Sequence, residues 1–288
     1  MTTIIMTDSC CDLRHDYVIE NNIVLMKLMV TLGEEEIQDD LGQSLEYKDF
    51  YSRIRNGIMP KTAQVNAYTF EEEFEKIVKE GNKLIYIAFS SALSGTYNSA
   101  CIAKEFIIEK YPDADITIID SKSASMGLGL LVYYATEMLK SGKSKAEIVK
   151  WVEDNKLKIN HWFTVEDLNH LYRGGRVSKT AATVGTILSL KPILHVDDEG
   201  RLTSVSKVKG RKKSITALFN KVEEMIVNPE EQVIFISHGD CIEEAESLKE
   251  KILEKFKVKD VVINFVGPAV GSHSGPGTLA VFFMGNNR

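Results

Sequence analysis

The sequence of 288 residues contains little cysteine and no excess of positive charge. Its four cysteines, Cys10, Cys11, Cys101 and Cys241, form no C-x-x-C pair and have no zinc-ligand spacing with histidine. Free thiols of this kind predict a cytoplasmic protein, because the cytosol keeps thiols reduced. The net charge of −6 disfavours nucleic acid as the main partner, since phosphate binding needs clustered Lys and Arg.

Several other signals are missing from the chain. No run of about 18 apolar residues is present, so the sequence predicts no membrane span, and no secretory signal peptide is apparent. There is no P-loop, no G-x-S-x-G nucleophile elbow and no H-E-x-x-H motif. The segment that begins Gly127-Leu-Gly129 has Val132 where the dinucleotide-binding fingerprint G-x-G-x-x-G/A requires glycine or alanine. We therefore interpret the two glycines as residues that allow a helix to pack closely. We therefore expect no metal and no cofactor.

Short apolar strands alternate with amphipathic helices along the first half of the chain, an order typical of a doubly wound, mostly parallel sheet. In the second half, Asp197-Asp198-Glu199-Gly200 reads as a hairpin turn between two strands, which favours a mixed sheet. The sequence predicts an α/β fold with an N-terminal domain over 1–160, a C-terminal domain over 161–288 and a ligand cleft between them. We also predict one strand over Ile23–Val30 and a rigid loop over Gly267–Gly277.

The most informative stretch is an apolar run, Leu84–Phe89, that opens through Ser90–Thr96 into a helical pattern. A strand that enters a helix through small hydroxyl residues gathers free N–H groups and the positive helix end at one place. No Lys or Arg lies between Ile85 and Lys104, so a carboxylate fits better than a triphosphate. The alternative is an ordinary serine cap on an ordinary helix.

Polar loops recur at the predicted strand ends, which share one edge in a doubly wound sheet. The last of them, Gly267–Gly277, carries His273 at its centre, where the ring could donate a hydrogen bond to an anionic head group or serve a structural role. His238 is a weaker candidate. Three carboxylates could act as acids or bases, but no nucleophile is paired with them in sequence: Asp8, Asp120 and Glu166.

The chain resembles the DegV family of bacterial lipid-binding proteins. The resemblance is carried by five segments in the family's order, and they span nearly the whole length. The segments are Thr7-Asp8-Ser9 with Asp12-Leu13, Ser90–Tyr97, Gly174-Gly175-Arg176, Lys191-Pro192-Ile193-Leu194, and Gly267–Gly277.

The resemblance implies two α/β domains that hold one long-chain fatty acid, such as palmitate, between them. It places the carboxylate at Thr62 and Ser94, to which we add Gly95 and His273. Members of the fatty acid kinase system present the bound acid to a separate ATP-dependent kinase subunit, and the acyl phosphate product feeds phospholipid synthesis. The resemblance therefore implies a carrier that is not itself an enzyme.

The loop at Thr62 departs from the family's usual T-S-Q-P-S, because here it reads Thr62-Ala63-Gln64-Val65-Asn66. A carboxylate contact stays plausible with Thr62 and Gln64 kept, whereas the second hydroxyl is lost. Two arginines that flank Gly174-Gly175, Arg173 and Arg176, either close a helix terminus or contact the kinase subunit. Four residues are guesses for the tail-binding tunnel: Leu93, Ile187, Phe265 and Val270.

Two other functions remain open at this stage. The same loops could belong to an enzyme that acts on a small carboxylate or phosphate substrate through Ser94 or His273. A ligand-sensing regulatory module is the third hypothesis, although no DNA-binding element supports it. We expect a monomer.

Overall fold

The structure is a computed structural model that describes residues 2–178 and 190–288. Its strands are β1 (Thr3–Asp8), β2 (Val24–Met26), β3 (Met29–Leu32), β4 (Glu35–Gln38), β5 (Lys61–Ala63), β6 (Lys83–Ala88), β7 (Ile116–Asp120), β8 (Ile159–Thr164), β9 (Leu190–Val196), β10 (Leu202–Lys209), β11 (Val233–His238), β12 (Asp260–Phe265) and β13 (Leu279–Met284).

The α-helices within the described ranges are α1 (His15–Glu20), α2 (Tyr47–Arg55), α3 (Ala67–Lys79), α4 (Thr96–Lys110), α5 (Met126–Lys140), α6 (Lys145–Asn155), α7 (Leu168–Arg173), α8 (Arg211–Met225), α9 (Ile242–Lys255) and α10 (Pro268–Ser274). None of them is long and apolar enough to cross a membrane.

The strands form three sheets, and the two larger ones confirm the predicted α/β class. The first is parallel throughout, with the order β2-β1-β6-β7. The second has the order β10-β9-β8-β13-β11-β12 and is antiparallel except between β11 and β12. The predicted hairpin at Asp197–Gly200 joins β9 to β10. The small third sheet, β4-β3-β5, is antiparallel.

The six-stranded sheet begins with β8 at Ile159, one residue before the predicted domain boundary. The division into 1–160 and 161–288 stays a prediction, because the buried core does not separate there. One hydrophobic cluster runs through both sheets and includes Met6, Met126, Phe163 and Phe235. Helix α5 lies at its centre and packs against strands of both.

The predicted single strand over Ile23–Val30 is wrong, because the chain changes sheets at Leu28. Strand β2 belongs to the parallel sheet and β3 to the small sheet. The Leu28 N–H donates to Ser9 Oγ at 3.1 Å, and its carbonyl accepts from the Asp39 N–H at 2.8 Å. The first bond directs the Leu28 N–H to a side chain, and the second continues the antiparallel pairing of β3 with β4. The side chain of Leu28 is buried.

The predicted rigid loop over Gly267–Gly277 is also wrong in part, because Pro268–Ser274 forms helix α10. Proline is well suited to the first helical position, where its missing N–H is not needed. The helix ends at Gly275, whose positive φ of 78° suits glycine. The sequence therefore contains a signal for each end of this helix, Pro268 and Gly275, although we predicted only a rigid loop.

Two buried carboxylates hold the N-terminus of α10 in place. Asp12 Oδ1 accepts the Gly267 N–H at 2.9 Å, and Asp39 Oδ2 accepts the Ala269 N–H at 2.9 Å. Asp12 also accepts a hydrogen bond of 2.5 Å from Ser125 Oγ, at the start of α5. Carboxyl oxygens at a helix N-terminus accept the free N–H groups of its first turn. Both come from the first 40 residues, so they fasten α10 to the parallel-sheet half.

The interpretation of Gly127 and Gly129 as close-packing residues is confirmed. A Cβ atom added at Gly127 would collide with the imidazole of His161 on β8. One added at Gly129 would lie 2.6 Å from the carbonyl oxygen of Cys11. The small residues therefore let α5 approach both halves of the molecule.

We expect Gly127→Ala to lower the free energy of unfolding by about 1–3 kcal/mol, because overpacking against His161 outweighs the helix propensity gained. Urea unfolding followed by circular dichroism measures the change. The control is Lys140→Ala on the exposed end of α5, which should change stability by less than about 0.5 kcal/mol. A Gly127→Ala protein as stable as the wild type would contradict the packing described.

Burial raises the pKa of Asp39 to about 7, against hydrogen bonds that lower it. Between about pH 4 and this value the folded protein keeps a proton that the unfolded chain loses. The free energy of unfolding of the wild type should therefore fall relative to that of Asp39→Asn as the pH rises through this range. Denaturation midpoints at a series of pH values measure the difference.

Asp40→Asn is the matched control for this pH series. Burial by itself would raise the pKa of Asp40, but hydrogen bonds from Ser44 and Gln43 lower it below its ordinary value. Asp40 is therefore ionised in the folded and unfolded states above about pH 5. The free energy of unfolding of Asp40→Asn should change with pH there in parallel with that of the wild type. Parallel curves for Asp39→Asn as well would show that the Asp39 carboxyl is not buried as described.

Candidate functional site

A cavity of about 190 Å³ lies between the parallel sheet and the six-stranded sheet. Its wall is mostly apolar and combines residues from both halves of the chain. These apolar residues are Leu28, Phe89, Leu93, Ala124, Phe163, Leu171, Val196, Leu202, Val266, Ala269, Val270, Ala280 and Phe282. A cavity of this composition suits an elongated hydrocarbon group.

The structure places the four predicted head-group residues, Thr62, Ser94, Gly95 and His273, on the wall of this cavity. Thr62 Oγ1 and His273 Nε2 are 2.8 Å apart, although 211 positions separate them in the chain. With Ser94 and Gly95 they form a polar group of residues, called here the polar end, on a wall that is mostly apolar. Other polar residues also line the cavity: Gln64, Ser125, His161, Arg176, Ser237, Ser274 and Thr278. This arrangement brings the segment at Thr62 together with the last polar loop of the sequence.

Thr62 lies on the short strand β5, in a segment that was predicted to be a loop. It is paired with Val30 on β3, so its backbone is fixed by the small sheet. Gln64 follows and also lines the cavity, and its amide nitrogen donates to Ser99 Oγ at 3.0 Å on α4. The loop that departs from the family pattern is therefore held by a strand at one end and by α4 at the other.

Ser94 and Gly95 form the entry to α4, as the sequence predicts. Ser94 Oγ accepts the Thr96 N–H at 3.3 Å and lies 2.9 Å from Thr96 Oγ1. Gly95 is the N-cap and carries no capping side chain. A Cβ atom there would collide with the amide end of the Gln64 side chain, which would have to move away from α4. The positive end of a 15-residue helix thus faces the cavity.

His273 lies near the C-terminal end of α10 and is partly buried. Gly174 approaches its ring so closely that an added Cβ atom would collide with Nδ1. Burial, followed by the nearby charge of Arg176, lowers the pKa of His273 to about 4. The imidazole is therefore neutral at physiological pH and contributes hydrogen bonds rather than charge to the polar end.

The two arginines have different surroundings. Arg176 lines the cavity, and its guanidinium donates to the Leu93 carbonyl at 2.9 and 3.1 Å and also to the Gly174 carbonyl. It thereby ties the end of α7 to the loop before α4. Arg173 is exposed, with Nη2 3.4 Å from Nδ1 of His170. A kinase contact stays a prediction for both.

Of the four guessed tunnel residues, Leu93 and Val270 line the cavity. Phe265 does not, because its ring stacks on Tyr47 at 5.0 Å and packs against His238 at 4.3 Å. Ile187 lies outside the described residues. Two further cavity residues, Arg176 and Ser274, were not predicted to line the ligand site. The helical spacing of Ala269, Val270, His273 and Ser274 could have identified Ser274.

The remaining acid–base candidates have structural partners. Asp8 accepts from Tyr86 Oη at 2.8 Å and from the Phe89 N–H at 2.9 Å. His238 Nδ1 accepts the Cys241 N–H at 3.2 Å. Asp120 and Glu166 form ion pairs with Lys122 and Lys191, respectively.

Ser94 and His273 are not bonded to each other. The hydroxyl of Ser94 contacts Thr96, and the imidazole of His273 contacts Thr62. A serine nucleophile needs a base within hydrogen-bond reach. The geometry therefore suits binding better than nucleophilic catalysis.

Comparisons with known proteins agree with this architecture. The model of the DegV family, described as uncharacterised proteins, matches residues 2–286. A DegV domain-containing protein of Clostridium perfringens is 53% identical over 285 residues, which cover 99% of this chain and 98% of the relative.

Solved structures show the same fold. A DegV lipid-binding protein of Thermotoga maritima has a TM-score of 0.87 and 28% identity, with all of both chains covered. A DegV family protein of Thermus thermophilus, described for its fatty acid binding, has a TM-score of 0.89 and 25% identity, and 99% of this chain and 100% of that chain are covered. The α/β architecture and the family match over nearly the whole length lead to one conclusion: this chain belongs to the DegV family.

Proposed function

We propose that this protein binds one long-chain fatty acid in the cavity between its two larger sheets. The carboxylate is bound at Thr62, Ser94 and Gly95, with His273 beside Thr62, and the tail occupies the apolar part. The observation that carries this proposal is the pair of Thr62 and His273, 2.8 Å apart, on the wall of a mostly apolar cavity. The fatty acid binding of the Thermus thermophilus relative supports it.

A carboxylate at this end would meet hydroxyl donors and the N-terminus of α4. Hydrogen bonds to an ionised acceptor are stronger than neutral ones, and a helix N-terminus favours negative charge. The neutral imidazole of His273 can donate to a carboxylate oxygen without adding a buried charge. These contacts fix the orientation of the ligand.

The tail would supply most of the affinity. Each buried methylene contributes about 0.8 kcal/mol, so a palmitate chain contributes roughly 10 kcal/mol before the costs of ordering and association. Because the head group adds far less, the acyl chain determines how tightly the ligand binds. The head-group contacts determine which end of the ligand faces the polar residues.

We infer that the protein acts in the cytoplasm as a carrier and presents the bound acid to a separate ATP-dependent fatty acid kinase. The resulting acyl phosphate would serve phospholipid synthesis. The separation of Ser94 from His273 supports a carrier over an enzyme. Arg173 is exposed on α7, the helix that carries the cavity residue Leu171, and is the better candidate for a contact with the kinase. Arg176, whose guanidinium donates to the Leu93 carbonyl, would hold the loop before α4 in place for this contact.

We expect Ser94→Ala and Thr62→Val each to weaken palmitate binding by about 1–3 kcal/mol, because each removes a hydrogen bond to a charged group. Titration calorimetry on delipidated protein measures the affinity. Ser91→Ala is the matched control: Ser91 lies in the same loop but is exposed and bonds to Asp120. Its affinity should equal that of the wild type.

Unchanged affinity in both Ser94→Ala and Thr62→Val would place the head group elsewhere. Failure of the wild type to bind palmitate would contradict the proposed function as a whole. Hydrolysis or transfer by the protein alone across a panel of small carboxylates and phosphates, abolished by Ser94→Ala, would restore the enzyme hypothesis.

A further inference from the structure

Strand β13 shows how far the cavity wall extends from the polar end. Helix α10, which carries His273, is followed directly by the segment that leads into β13. Three wall residues follow along this segment and the strand at spacings of two, so they share one face: Thr278, Ala280 and Phe282. Four residues of a strand span about 13 Å. Phe282 is therefore the wall residue of β13 that lies furthest from α10.

Two neighbouring strands contribute wall residues at the level of Phe282. His161 on β8 is paired directly with Phe282, and the two rings meet edge to face at 5.4 Å. Trp162 is paired with His195 on β9, so the next residue of β9, Val196, lies beside His161. The three wall residues at this level, called here the cavity floor, are each at most 2% exposed: His161, Val196 and Phe282.

The chain is closely packed behind the ring of His161. The Ala124 N–H, just before α5, donates to Nε2 of this ring at 3.4 Å, and a Cβ atom added at Gly127 would lie 2.1 Å from the same nitrogen. The Ile159 carbonyl accepts a hydrogen bond from Nδ1 at 2.9 Å and another from the guanidinium of Arg288 at 3.0 Å. The floor is therefore closed by α5 on one side and by backbone and Arg288 on another.

The imidazole of His161 suits contact with an apolar group. Both of its nitrogens have backbone partners, so the ring needs no hydrogen bond from a ligand. Burial, followed by the charge of Arg288, lowers the pKa of His161 well below its ordinary value, so the ring is neutral. The terminal methyl group of an acyl chain forms no hydrogen bond and is matched by such a surface.

We propose that the cavity floor limits the length of the acyl chain that this protein binds, and that His161 is the residue the terminal methyl group meets. With the carboxylate held at the polar end, each added methylene moves the methyl group toward the floor. Burial of one methylene raises the affinity about 4-fold. Once the chain reaches His161, further carbons must displace packed side chains, which is unfavourable. This inference rests on the proposed fatty-acid function and extends it to selection by chain length.

The test measures the affinity of delipidated protein for saturated acids from lauric to behenic acid, by competition with labelled palmitate. For the wild type we expect the affinity to rise with chain length to a maximum and then to fall. His161→Ala should move the maximum to chains about two carbons longer, and should raise the affinity for such an acid about 10-fold relative to the wild-type optimum acid. Val196→Phe fills the floor and should move the maximum to chains about two carbons shorter.

His195→Ala is the matched control. His195 precedes Val196 on β9, but its ring stacks on Trp162 at 5.2 Å and is not among the described residues of the cavity wall. Removing this second histidine should leave the position of the maximum unchanged.

A wild-type affinity that keeps rising through behenic acid would overturn the inference. A maximum that moves in neither His161→Ala nor Val196→Phe would do the same, even if both variants bind every acid more weakly. The melting temperatures of the ligand-free variants show which of them are folded, and one folded floor variant is enough for the decision. A wild type that binds none of the acids is a separate result, which contradicts the proposed function itself.

Discussion

The structure depends on the capping of α10 by two buried carboxylates. Asp12 and Asp39 receive the N–H groups of Gly267 and Ala269, and Tyr51 Oη donates to the neighbouring Val266 carbonyl at 2.7 Å. All three side chains come from the first 55 residues, whereas α10 precedes the last strand. Because the far end of α10 carries His273 and Ser274, these caps set where both side chains lie on the cavity wall.

The polar end of the cavity can orient an anion with little formal charge. Its donors are the hydroxyls of Thr62 and Ser94, a neutral imidazole and the N-terminus of α4. Arg176 is the single cation among the described cavity-lining residues, and its guanidinium is bonded to backbone carbonyls. A singly charged carboxylate is matched by such a set, because a multiply charged phosphate needs direct Lys or Arg contacts.

Much of the fold follows from local sequence signals. Apolar runs locate the strands of both large sheets, and the capping-box pattern of Ser144 and Glu147 marks the start of α6. The grouping of polar loops at strand ends also brings Ser94 to the cavity. Hydrogen bonds between segments that lie far apart in the sequence could not be predicted from local patterns. The N–H of Leu28 bonds to Ser9 where the chain changes sheets, and Pro268–Ser274 becomes a capped helix because of Asp12 and Asp39. Likewise, only the folded chain pairs Thr62 with His273.

The most direct test of fatty-acid binding is native mass spectrometry of the purified protein, followed by organic extraction and identification of what it carries. The proposed function predicts a mass increase equal to one long-chain acid per chain, which extraction removes and added palmitate restores. A protein that carries no lipid and takes up none when palmitate is added would contradict the central claim.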